Sequence, residues 1–512
     1  MNRSRLRRAG LAAASGALLA LARPPFDLGF LALVALVPLF VAWRDSGPRG
    51  RAALAFAAGV VYYGIVVSWA WYFGAIAIVP LVAALAVYWA AVGAAVGWFA
   101  RRGMRAPWLT AAVWVLAEAA VARFPLEGFS WGEVGYALHD VAIARDLASI
   151  GGVLLVSFLV VAWNGLLADL VIPPQPALAL RAASGLLVIV MVTGAVVVAR
   201  PQPIPAGTLR VAILQGNDKN RDLTEAEEAA RYLPRSHFEL AEEVTDPVDL
   251  IILPESSLDE DPRTDDELER GLQKIATDHD AWVLANAVAD APDGRAINLN
   301  ILYGPDGELQ GTYAKRHLVP YGERVPFRDV LDDFIGALDR IPRDFAPGDE
   351  PGRFDVAGLD VATVICFESA FGYEVRPLVR DGAEVIVVST NNRSYRRSAN
   401  SAQHLAIGQM RAAETGRPVV QAAISGISAY IDASGRIHGE TELFERTRLQ
   451  GDVTAMRGTT LYVRFGDWIV WASLATVVAC IAVDLLRRRR RSVDSLGHAE
   501  AVSARSATGD RA

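Results

Sequence analysis

Cys366 follows a run of apolar residues in the segment VATVICFESAFG, and the chain has only one other cysteine, Cys480. Taken alone, this position predicts a small buried hydrophobe, because free cysteine is among the most buried residue types. Three ionisable residues favour a different interpretation. Glu255 ends the run DLIILPE, Glu368 lies two residues after the cysteine, and Lys315 lies in TYAKRHLVPYGERVP. A thiol, an ammonium and carboxylates that each follow a predicted strand indicate an acyl-transfer site.

The side-chain types determine what such a site would do. A thiolate attacks a carbonyl carbon, a nearby lysine lowers the pKa of the thiol, and a glutamate accepts its proton. Lys315 would then donate to the oxyanion of the tetrahedral intermediate, together with backbone N–H groups after Cys366. The spacing alone leaves the buried-cysteine interpretation open.

The elements that must position these residues begin after Thr208. Short β-rich runs alternate there with helical stretches. The runs are LRVAILQGN, VDLIILPES, AWVLANAVA, NILYGPDGELQGTYAK, VATVICFES, AEVIVVSTNN and RPVVQAAISGISAYIDASGRI. Amphipathic helices are predicted over 224–244 and 265–278. Nearly continuous Val, Ile and Leu indicate strands that are covered on both faces, which predicts a layered α/β or α+β sandwich.

The chain as a whole is too apolar for a soluble protein. Of its 512 residues, 52% are hydrophobic, and the mean hydropathy is +0.26. Several of its apolar stretches approach the roughly 20 residues that cross a bilayer. Eight stretches are predicted to span the membrane, near 9–22, 28–43, 53–73, 76–99, 107–124, 151–172, 178–199 and 468–486. The first is alternatively a cleaved signal peptide, because arginines precede its short apolar core.

The arginines predict how these spans are oriented, because cytoplasmic loops retain positive charge. If the spans alternate, the arginine-rich segments fall on one side: 3–8, 44–51, 101–105, Arg181 and 487–491. Both termini are therefore predicted to be cytoplasmic, and the region between the seventh and eighth spans extracytoplasmic. The predicted domains are a membrane domain of about seven transmembrane helices over 1–200, a catalytic domain over 207–458, a transmembrane helix over 466–487, and a basic, disordered cytoplasmic tail over 488–512.

Four motifs of the polar part resemble the carbon-nitrogen hydrolase (nitrilase) superfamily: VAILQGN, LPES, YAKRHLVPYGERVP and VICFES. The segments RPPFDLGFLALVALVPL, FPLEGFSWGEVGY and LYVRFGDW are similar to the apolipoprotein N-acyltransferase family. The resemblance implies an extracytoplasmic αββα sandwich joined to a membrane bundle of about eight helices. It also implies Glu255 as general base, Lys315 as the oxyanion-stabilising lysine and Cys366 as the nucleophile. Glu323, in PYGE, matches a supporting glutamate of the family.

Further candidate site residues follow from the same resemblance. Phe367 and Glu368 occupy positions where the family has an aromatic residue and a glutamate. After VVST the family has Asn, a polar residue, an aromatic residue and glycine, whereas this chain has Asn391, a shifted aromatic residue, Tyr395, and inserted arginines. The arginines are predicted either to meet lipid phosphates or to form a solvated basic loop; they are Arg393, Arg396 and Arg397.

The resemblance also implies a function for the whole chain. Members of the family take an acyl chain from a phospholipid onto the cysteine and pass it to the α-amino group of a lipoprotein's diacylglyceryl-cysteine. We therefore expect a multi-pass protein of the bacterial inner membrane, with a phospholipid donor, an apolipoprotein acceptor and the bilayer as partners. No cofactor, metal or nucleic acid is expected. Two alternatives stay open: a membrane-tethered amidase, and a non-catalytic anchor or activator of a glycosyltransferase, which the altered loop at Asn391 would allow.

Overall fold

The computed structural model describes residues 3–171, 176–326, 328 and 343–509. Its N-terminal part is a helical bundle. The α-helices are α1 (Arg3–Leu21), α2 (Val37–Trp43), α3 (Pro48–Val66), α4 (Ala75–Ala100), α5 (Pro107–Val121), α6 (Ala142–Val171) and α7 (Pro176–Ala199). Shorter 3-10 helices lie at Gly29–Leu33, Ser68–Phe73 and Val134–Leu138. Small residues bring neighbouring helices close, since a Cβ on Gly16 of α1 would lie 2.2 Å from the carbonyl oxygen of Ala58 in α3.

Four of the described helical segments are long and apolar enough to cross a membrane: Ala75–Ala100, Ala142–Val171, Leu178–Ala199 and Trp468–Arg489. The number of eight spans stays a prediction. The second predicted stretch, 28–43, is not one helix, because a three-residue turn separates its 3-10 helix from α2. Asn164 of α6 bonds to both sides of this break, donating to Ala32 O at 2.8 Å and accepting from the Leu36 N–H at 2.9 Å. Backbone groups freed in an apolar layer need such partners.

Helix α6 bends where it meets the polar part of the chain. Gly151 and Gly152 depart from helical geometry, and Gly152 has a φ of +72°. The N–H of Val153, which the bend frees, donates to Glu414 Oε1 at 2.5 Å. A Cβ on Gly152 would lie 2.8 Å from the Tyr462 ring. Glycine is therefore required there by both the positive φ and the close approach.

Beyond α7 the chain forms two sheets. The strands are β1 (Ile204–Gln215), β2 (Leu250–Ile252), β3 (Trp282–Asp290), β4 (Ala296–Tyr303), β5 (Leu309–Ala314), β6 (Arg353–Val356), β7 (Leu359–Ile365), β8 (Val385–Thr390), β9 (Val419–Ala423), β10 (Ala429–Ile431), β11 (Ile437–Glu440) and β12 (Thr447–Arg457). The first sheet has the order β12-β1-β2-β3-β4-β5, and the second has the order β11-β10-β9-β8-β7-β6. In each sheet three adjacent strands are parallel: β1, β2 and β3 in the first, and β7, β8 and β9 in the second.

The helices that follow β1 are α8 (Glu225–Ala229), α9 (Tyr232–Glu242), α10 (Asp266–His279), α11 (Gly372–Arg380), α12 (Asn400–Thr415), α13 (Leu461–Phe465) and α14 (Trp468–Gly509). Four of them, α9 to α12, cover the outer faces of the two sheets. The inner faces of the sheets pack together through residues such as Ile213, Ile252 and Val387. Helices α9 and α10 pack on the first sheet, and α11 and α12 pack on the second. This arrangement confirms the predicted αββα sandwich.

Three features differ from the sequence-based expectations or were missed. Strand β12 was not predicted, although it pairs with β1 along the whole strand. Helix α12 was also missed, and every one of its residues except Ala402 is buried, because it lies between the second sheet and the bundle. The tail predicted to be disordered from 488 onward continues α14 to Gly509, in keeping with its many Arg and Ala residues, which favour helix. Residues 510–512 lie outside the described part.

Candidate active site

Three strand ends carry the predicted catalytic residues. Glu255 follows β2 by three residues, Lys315 directly follows β5, and Cys366 directly follows β7. Strands β2 and β5 belong to the first sheet and β7 to the second. The three residues follow the C-terminal ends of these strands, so the site draws on both sheets of the sandwich. Lys315 and Glu255 are 1% and 5% exposed, and Cys366 is half-buried.

An ion-paired cluster surrounds Lys315. Its Nζ lies 2.7 Å from Glu323 Oε1 and 3.2 Å from Glu255 Oε1. The second oxygen of Glu255 accepts a hydrogen bond from the backbone N–H of Asn391 at 2.7 Å. Burial lowers the pKa of Lys315, but the charges of Glu255 and Glu323 raise that pKa by more, so the group remains an ammonium. The structure therefore brings together the residues that the sequence selected.

Three asparagines near the two carboxylates were not selected from the sequence, and one of them, Asn298, bonds to both carboxylates. Asn298 Nδ2 donates to Glu255 Oε1 at 2.8 Å and to Glu323 Oε1 at 3.1 Å. Asn286 Nδ2 in turn donates to the side-chain oxygens of Asn298 and Asn300, at 2.8 and 2.9 Å. The sequence did contain a signal for these residues. Asn298 and Asn300 lie two residues apart in the otherwise apolar strand β4, so their amides point to the same face of the sheet.

Cys366 has a strained backbone and a protonated thiol. Its φ is +50°, in the left-handed region that non-glycine residues rarely adopt. Burial and the charge of Glu255 raise the pKa of the thiol to about 12, while Lys315 and a hydrogen bond with Thr390 act in the opposite direction. We expected the lysine to lower this pKa, and it does so, but the loss of hydration has the larger effect. The thiol proton must therefore pass to a base as attack begins.

A short hydrogen-bond chain holds the backbone of the nucleophile. The Ser369 hydroxyl donates to the Cys366 carbonyl at 2.8 Å and lies 2.8 Å from His404 Nε2. Asn392 Nδ2 lies 3.2 Å from His404 Nδ1, so Nδ1 accepts and Nε2 carries the proton. Burial lowers the pKa of His404 to about 4. His404 is thus a neutral positioning residue and not an acid.

Glu368, selected as a supporting residue, anchors the backbone around the site. Its carboxylate accepts hydrogen bonds from four groups: the Tyr313 hydroxyl at 2.8 Å and the backbone N–H groups of Arg316, His317 and Ile365 at 2.8, 3.0 and 2.7 Å. These donors come from the segments that carry Lys315 and Cys366. Glu368 therefore joins the two segments, and its oxygens are occupied by structural contacts.

Aromatic side chains from the bundle cover the site. Phe367 lies 6.0 Å from Phe129 and 6.2 Å from Trp131 between ring centroids. Tyr395 lies edge-on to Trp69 at 4.9 Å, and Trp69 lies 5.7 Å from Trp131. We call these five residues the aromatic wall. The wall adjoins the nucleophile, and it combines residues of both halves of the chain.

The arginines after Asn391 bind within the protein. Arg393 Nη2 lies 2.8 Å from Asp222 Oδ1, and Arg396 Nη1 donates to the backbone carbonyl of Asn220 at 3.2 Å. Two of the three arginines thus tie their loop to the segment 218–222. Arg393 is half-buried and Arg396 is exposed, so the choice between lipid phosphates and a solvated basic loop stays a prediction.

Two family models match the chain. Residues 15–166 match the apolipoprotein N-acyltransferase N-terminal domain, and residues 210–460 match the carbon-nitrogen hydrolase domain. An apolipoprotein N-acyltransferase of Geobacter metallireducens is 31% identical, over 94% of this chain and 96% of its own length. One of Azotobacter vinelandii is 32% identical, over 94% and 95%. The chain belongs to the apolipoprotein N-acyltransferase family.

Membership of the apolipoprotein N-acyltransferase family makes the chain an acyltransferase of the carbon-nitrogen hydrolase superfamily. The four apolar helices agree with a protein of the inner membrane. Among solved structures, Nit3 of Saccharomyces cerevisiae, a member of branch 10 of the nitrilase superfamily, is 14% identical with a TM-score of 0.37, over 48% of this chain and 90% of that chain. The wall residues Phe129 and Trp131 were the main omission from the predicted site of this apolipoprotein N-acyltransferase family member. Both lie in the short segment GFSW, whose two aromatic residues were the available sequence signal.

Proposed function

We propose that this protein transfers a fatty acyl chain from a membrane phospholipid to the α-amino group of the N-terminal diacylglyceryl-cysteine of a lipoprotein. One observation carries the proposal: the buried cluster of Glu255, Lys315 and Glu323 adjoins Cys366, whose neighbour Phe367 packs against rings of the helical bundle. Lipid acyl chains keep to apolar surroundings, so a nucleophile beside such rings suits a lipid substrate. The names of the relatives support the lipoprotein acceptor.

In the first half reaction Cys366 attacks the ester carbonyl of the phospholipid and its proton passes to Glu255. Lys315 and the backbone N–H groups after the cysteine stabilise the oxyanion. The tetrahedral intermediate then breaks its ester C–O bond, and the lysophospholipid leaves as an alcohol after taking the proton from Glu255. A thioester on Cys366 remains.

In the second half reaction the amino group of the acceptor attacks the thioester carbonyl. Glu255 takes a proton from the amine, and the same oxyanion contacts from Lys315 apply. The C–S bond breaks, the thiolate of Cys366 recovers its proton from Glu255, and the amide product leaves. Because the lysophospholipid leaves before the acceptor reacts with the thioester, the two steps give ping-pong kinetics.

A membrane-tethered amidase would use water as the second acceptor. The two functions therefore differ in whether water reaches the thioester. A thioester that lasts until a lipoprotein arrives must be shielded from bulk water. The aromatic wall supplies such shielding, because Phe367 and Tyr395 lie beside the site and pack on the bundle residues Trp69 and Trp131. The wall therefore favours transfer over hydrolysis.

We also propose eight membrane spans, with the catalytic domain on the extracytoplasmic side and both termini in the cytoplasm. Two ion pairs near opposite ends of the apolar span Trp468–Arg489 support this orientation. Arg102, after α4, pairs with Asp484 at 3.0 Å, and Arg123, after α5, pairs with Asp467 at 2.9 Å. The arginine-rich segments lie toward Asp484, and positive charge remains cytoplasmic. A topology reporter joined after Arg210 is expected to report an extracytoplasmic location, and a cytoplasmic signal would contradict the orientation.

The function is tested by intact mass after incubation with phospholipid, with Cys366→Ser as the comparison. The wild type is expected to gain one acyl group that hydroxylamine removes, and the variant is expected to gain none. A peptide with an N-terminal diacylglyceryl-cysteine should then discharge the adduct and become N-acylated. Absence of an adduct with every lipid would contradict the proposal, and discharge at the same rate without the peptide would favour the amidase.

A further inference from the structure

The carboxamide of Gln403 joins the catalytic domain to the bundle. Gln403 lies in the first turn of α12 and is fully buried. Its Oε1 accepts hydrogen bonds from the indole N–H groups of Trp69 at 3.1 Å and Trp131 at 2.7 Å. Its Nε2 donates to the backbone carbonyls of Pro24 at 3.2 Å and Val66 at 2.9 Å. One side chain thus uses two acceptor and two donor positions, its full capacity.

The chemistry of these partners fixes how the carboxamide is oriented. An indole N–H only donates and a backbone carbonyl only accepts, so the oxygen and nitrogen of Gln403 cannot be exchanged. Val66 is the last residue of α3, where helix carbonyls have no partner within the helix. Gln403 therefore satisfies the end of α3 while it holds two members of the aromatic wall, Trp69 and Trp131.

The next residue of α12 acts on the nucleophile. His404 bonds to Ser369, which donates to the carbonyl of Cys366. The ring of His404 also lies 5.6 Å from that of Trp131. Adjacent residues on one rigid helix therefore hold the wall and the backbone of Cys366. The first turn of α12 sets the distance between them.

We propose that Gln403 is a positioning residue that sets which acyl chain lengths are accepted at Cys366, by holding the indoles of Trp69 and Trp131 in place. The inference rests on the proposed function: Cys366 carries the acyl chain and adjoins the aromatic wall, which places the chain beside these rings. A misplacement of about 1 Å at a reacting centre costs on the order of 100-fold in rate. Loss of the Gln403 contacts lets the two indoles move. This movement lowers the rate, and it changes the preference among chain lengths because the acyl chain lies beside these indoles.

The test uses the full chain in phospholipid nanodiscs. Gln403→Met keeps the approximate size of the side chain and removes its four hydrogen bonds. Gln409→Met is the matched control on the same helix. Gln409 also joins the domain to the bundle, but its partners are His139 at 2.7 Å and the carbonyl of Gly435 at 3.0 Å.

Thioester formation is measured with phospholipids that differ only in acyl chain length. We expect an optimum length for the wild type. Gln403→Met should lower the rate with the favoured chain by about 10- to 100-fold and flatten the profile, while Gln409→Met should keep the optimum. A merely structural role would lower the rate equally for all chains, and a profile of that shape in Gln403→Met would overturn the inference.

A second measurement does not depend on acyl transfer. Alkyl methanethiosulfonates of increasing chain length form a disulfide with a thiol and release sulfinate, so they report which chains reach Cys366 when Cys480→Ala removes the other cysteine. We expect the wild-type length optimum to be lost in Gln403→Met. An unchanged profile would overturn the inference, even where thioester formation occurs. A changed profile in a protein that forms no thioester would instead contradict the proposed function alone.

Trp131→Phe tests the same hydrogen bond from its other side, should Gln403→Met fail to fold. This variant keeps a ring in the wall and removes one donor to Gln403 Oε1. The thiosulfonate length profile of this variant should flatten as that of Gln403→Met does. An unchanged profile in Trp131→Phe would mean that Gln403 does not act through this indole, and it would overturn the inference.

Discussion

Glu323 Oε1 lies 2.7 Å from Lys315 Nζ, closer than the 3.2 Å that separates the same ammonium from Glu255. The other oxygen of Glu323 accepts from the backbone N–H of Val319 at 2.9 Å, so this carboxylate is held on both sides. The shorter contact holds the ammonium in place. In the proposed mechanism, Glu255 is therefore the carboxylate that gains and loses a proton.

Glu255→Gln and Glu323→Gln are expected to lower thioester formation in different ways. Glu255→Gln removes the base, so we expect a loss of about 10²- to 10⁴-fold near neutral pH. This loss should shrink as the pH rises, because hydroxide then supplies the thiolate of Cys366. Glu323→Gln removes the charge that holds Lys315, and its defect should persist at high pH. Single-turnover acylation followed by intact mass, at neutral and alkaline pH, distinguishes the two; equal recovery would show that the carboxylates share one role.

The raised pKa of Cys366 predicts how the resting thiol reacts. With a pKa of about 12, the thiolate fraction rises about tenfold per pH unit between about pH 8 and about pH 11, whereas a free thiol levels off above its pKa of about 8.5. Alkylation of Cys366 by iodoacetamide should therefore increase throughout this range in the folded protein. The urea-unfolded protein is the control and should show the plateau. A plateau near pH 9 in the folded protein would mean that burial does not hold the proton on the sulfur.

Much of the sandwich was predictable because its strands are nearly continuous runs of Val, Ile and Leu. The same runs placed Glu255, Lys315 and Cys366 at strand ends, where the structure brings the first two within 3.2 Å. Charged residues that directly follow buried strands are a local signal, so no knowledge of the tertiary fold was needed. The element order of the bundle was also readable from its apolar stretches, apart from the break before α2.

The remaining features depend on contacts between residues that are far apart in the chain. Gln403 is separated by 334 residues from its partner Trp69, and nothing in the segment NSAQHLAIGQ indicates an indole partner. Helix α12 looks polar in sequence, yet its polar side chains are buried, and several of them, such as Gln403 and Gln409, have partners in the bundle. The role of Glu368 was likewise not readable, since its donors come from 313–317 as well as from the turn at Cys366.

Glu368→Gln is expected to destabilise the fold. The carboxylate accepts from Tyr313 and three backbone N–H groups, whereas a glutamine would turn one donor group toward these donors. Hydrogen bonds to a charged group contribute about 1.5–3 kcal/mol, so we expect a loss of about 2–3 kcal/mol. Glu374→Gln is the control, because the ion pair of Glu374 with Arg316 is half-buried and such pairs contribute about 1 kcal/mol or less. Thermal unfolding in detergent should give a larger fall in the midpoint for Glu368→Gln; equal shifts would contradict the anchoring role.

Arg393→Ala and Arg396→Ala test whether the arginine-rich loop recognises lipid phosphate. Both side chains contact the segment 218–222, so removing them loosens the loop that carries Tyr395. We expect acylation to fall by up to about tenfold, and by the same factor with neutral and anionic phospholipids. Arg397→Ala is the matched control, because Arg397 lies over the Phe444 ring at 5.4 Å and not on that segment. A loss confined to anionic phospholipids and relieved by salt would instead assign the loop to the lipid headgroup, because such contacts weaken as ionic strength rises.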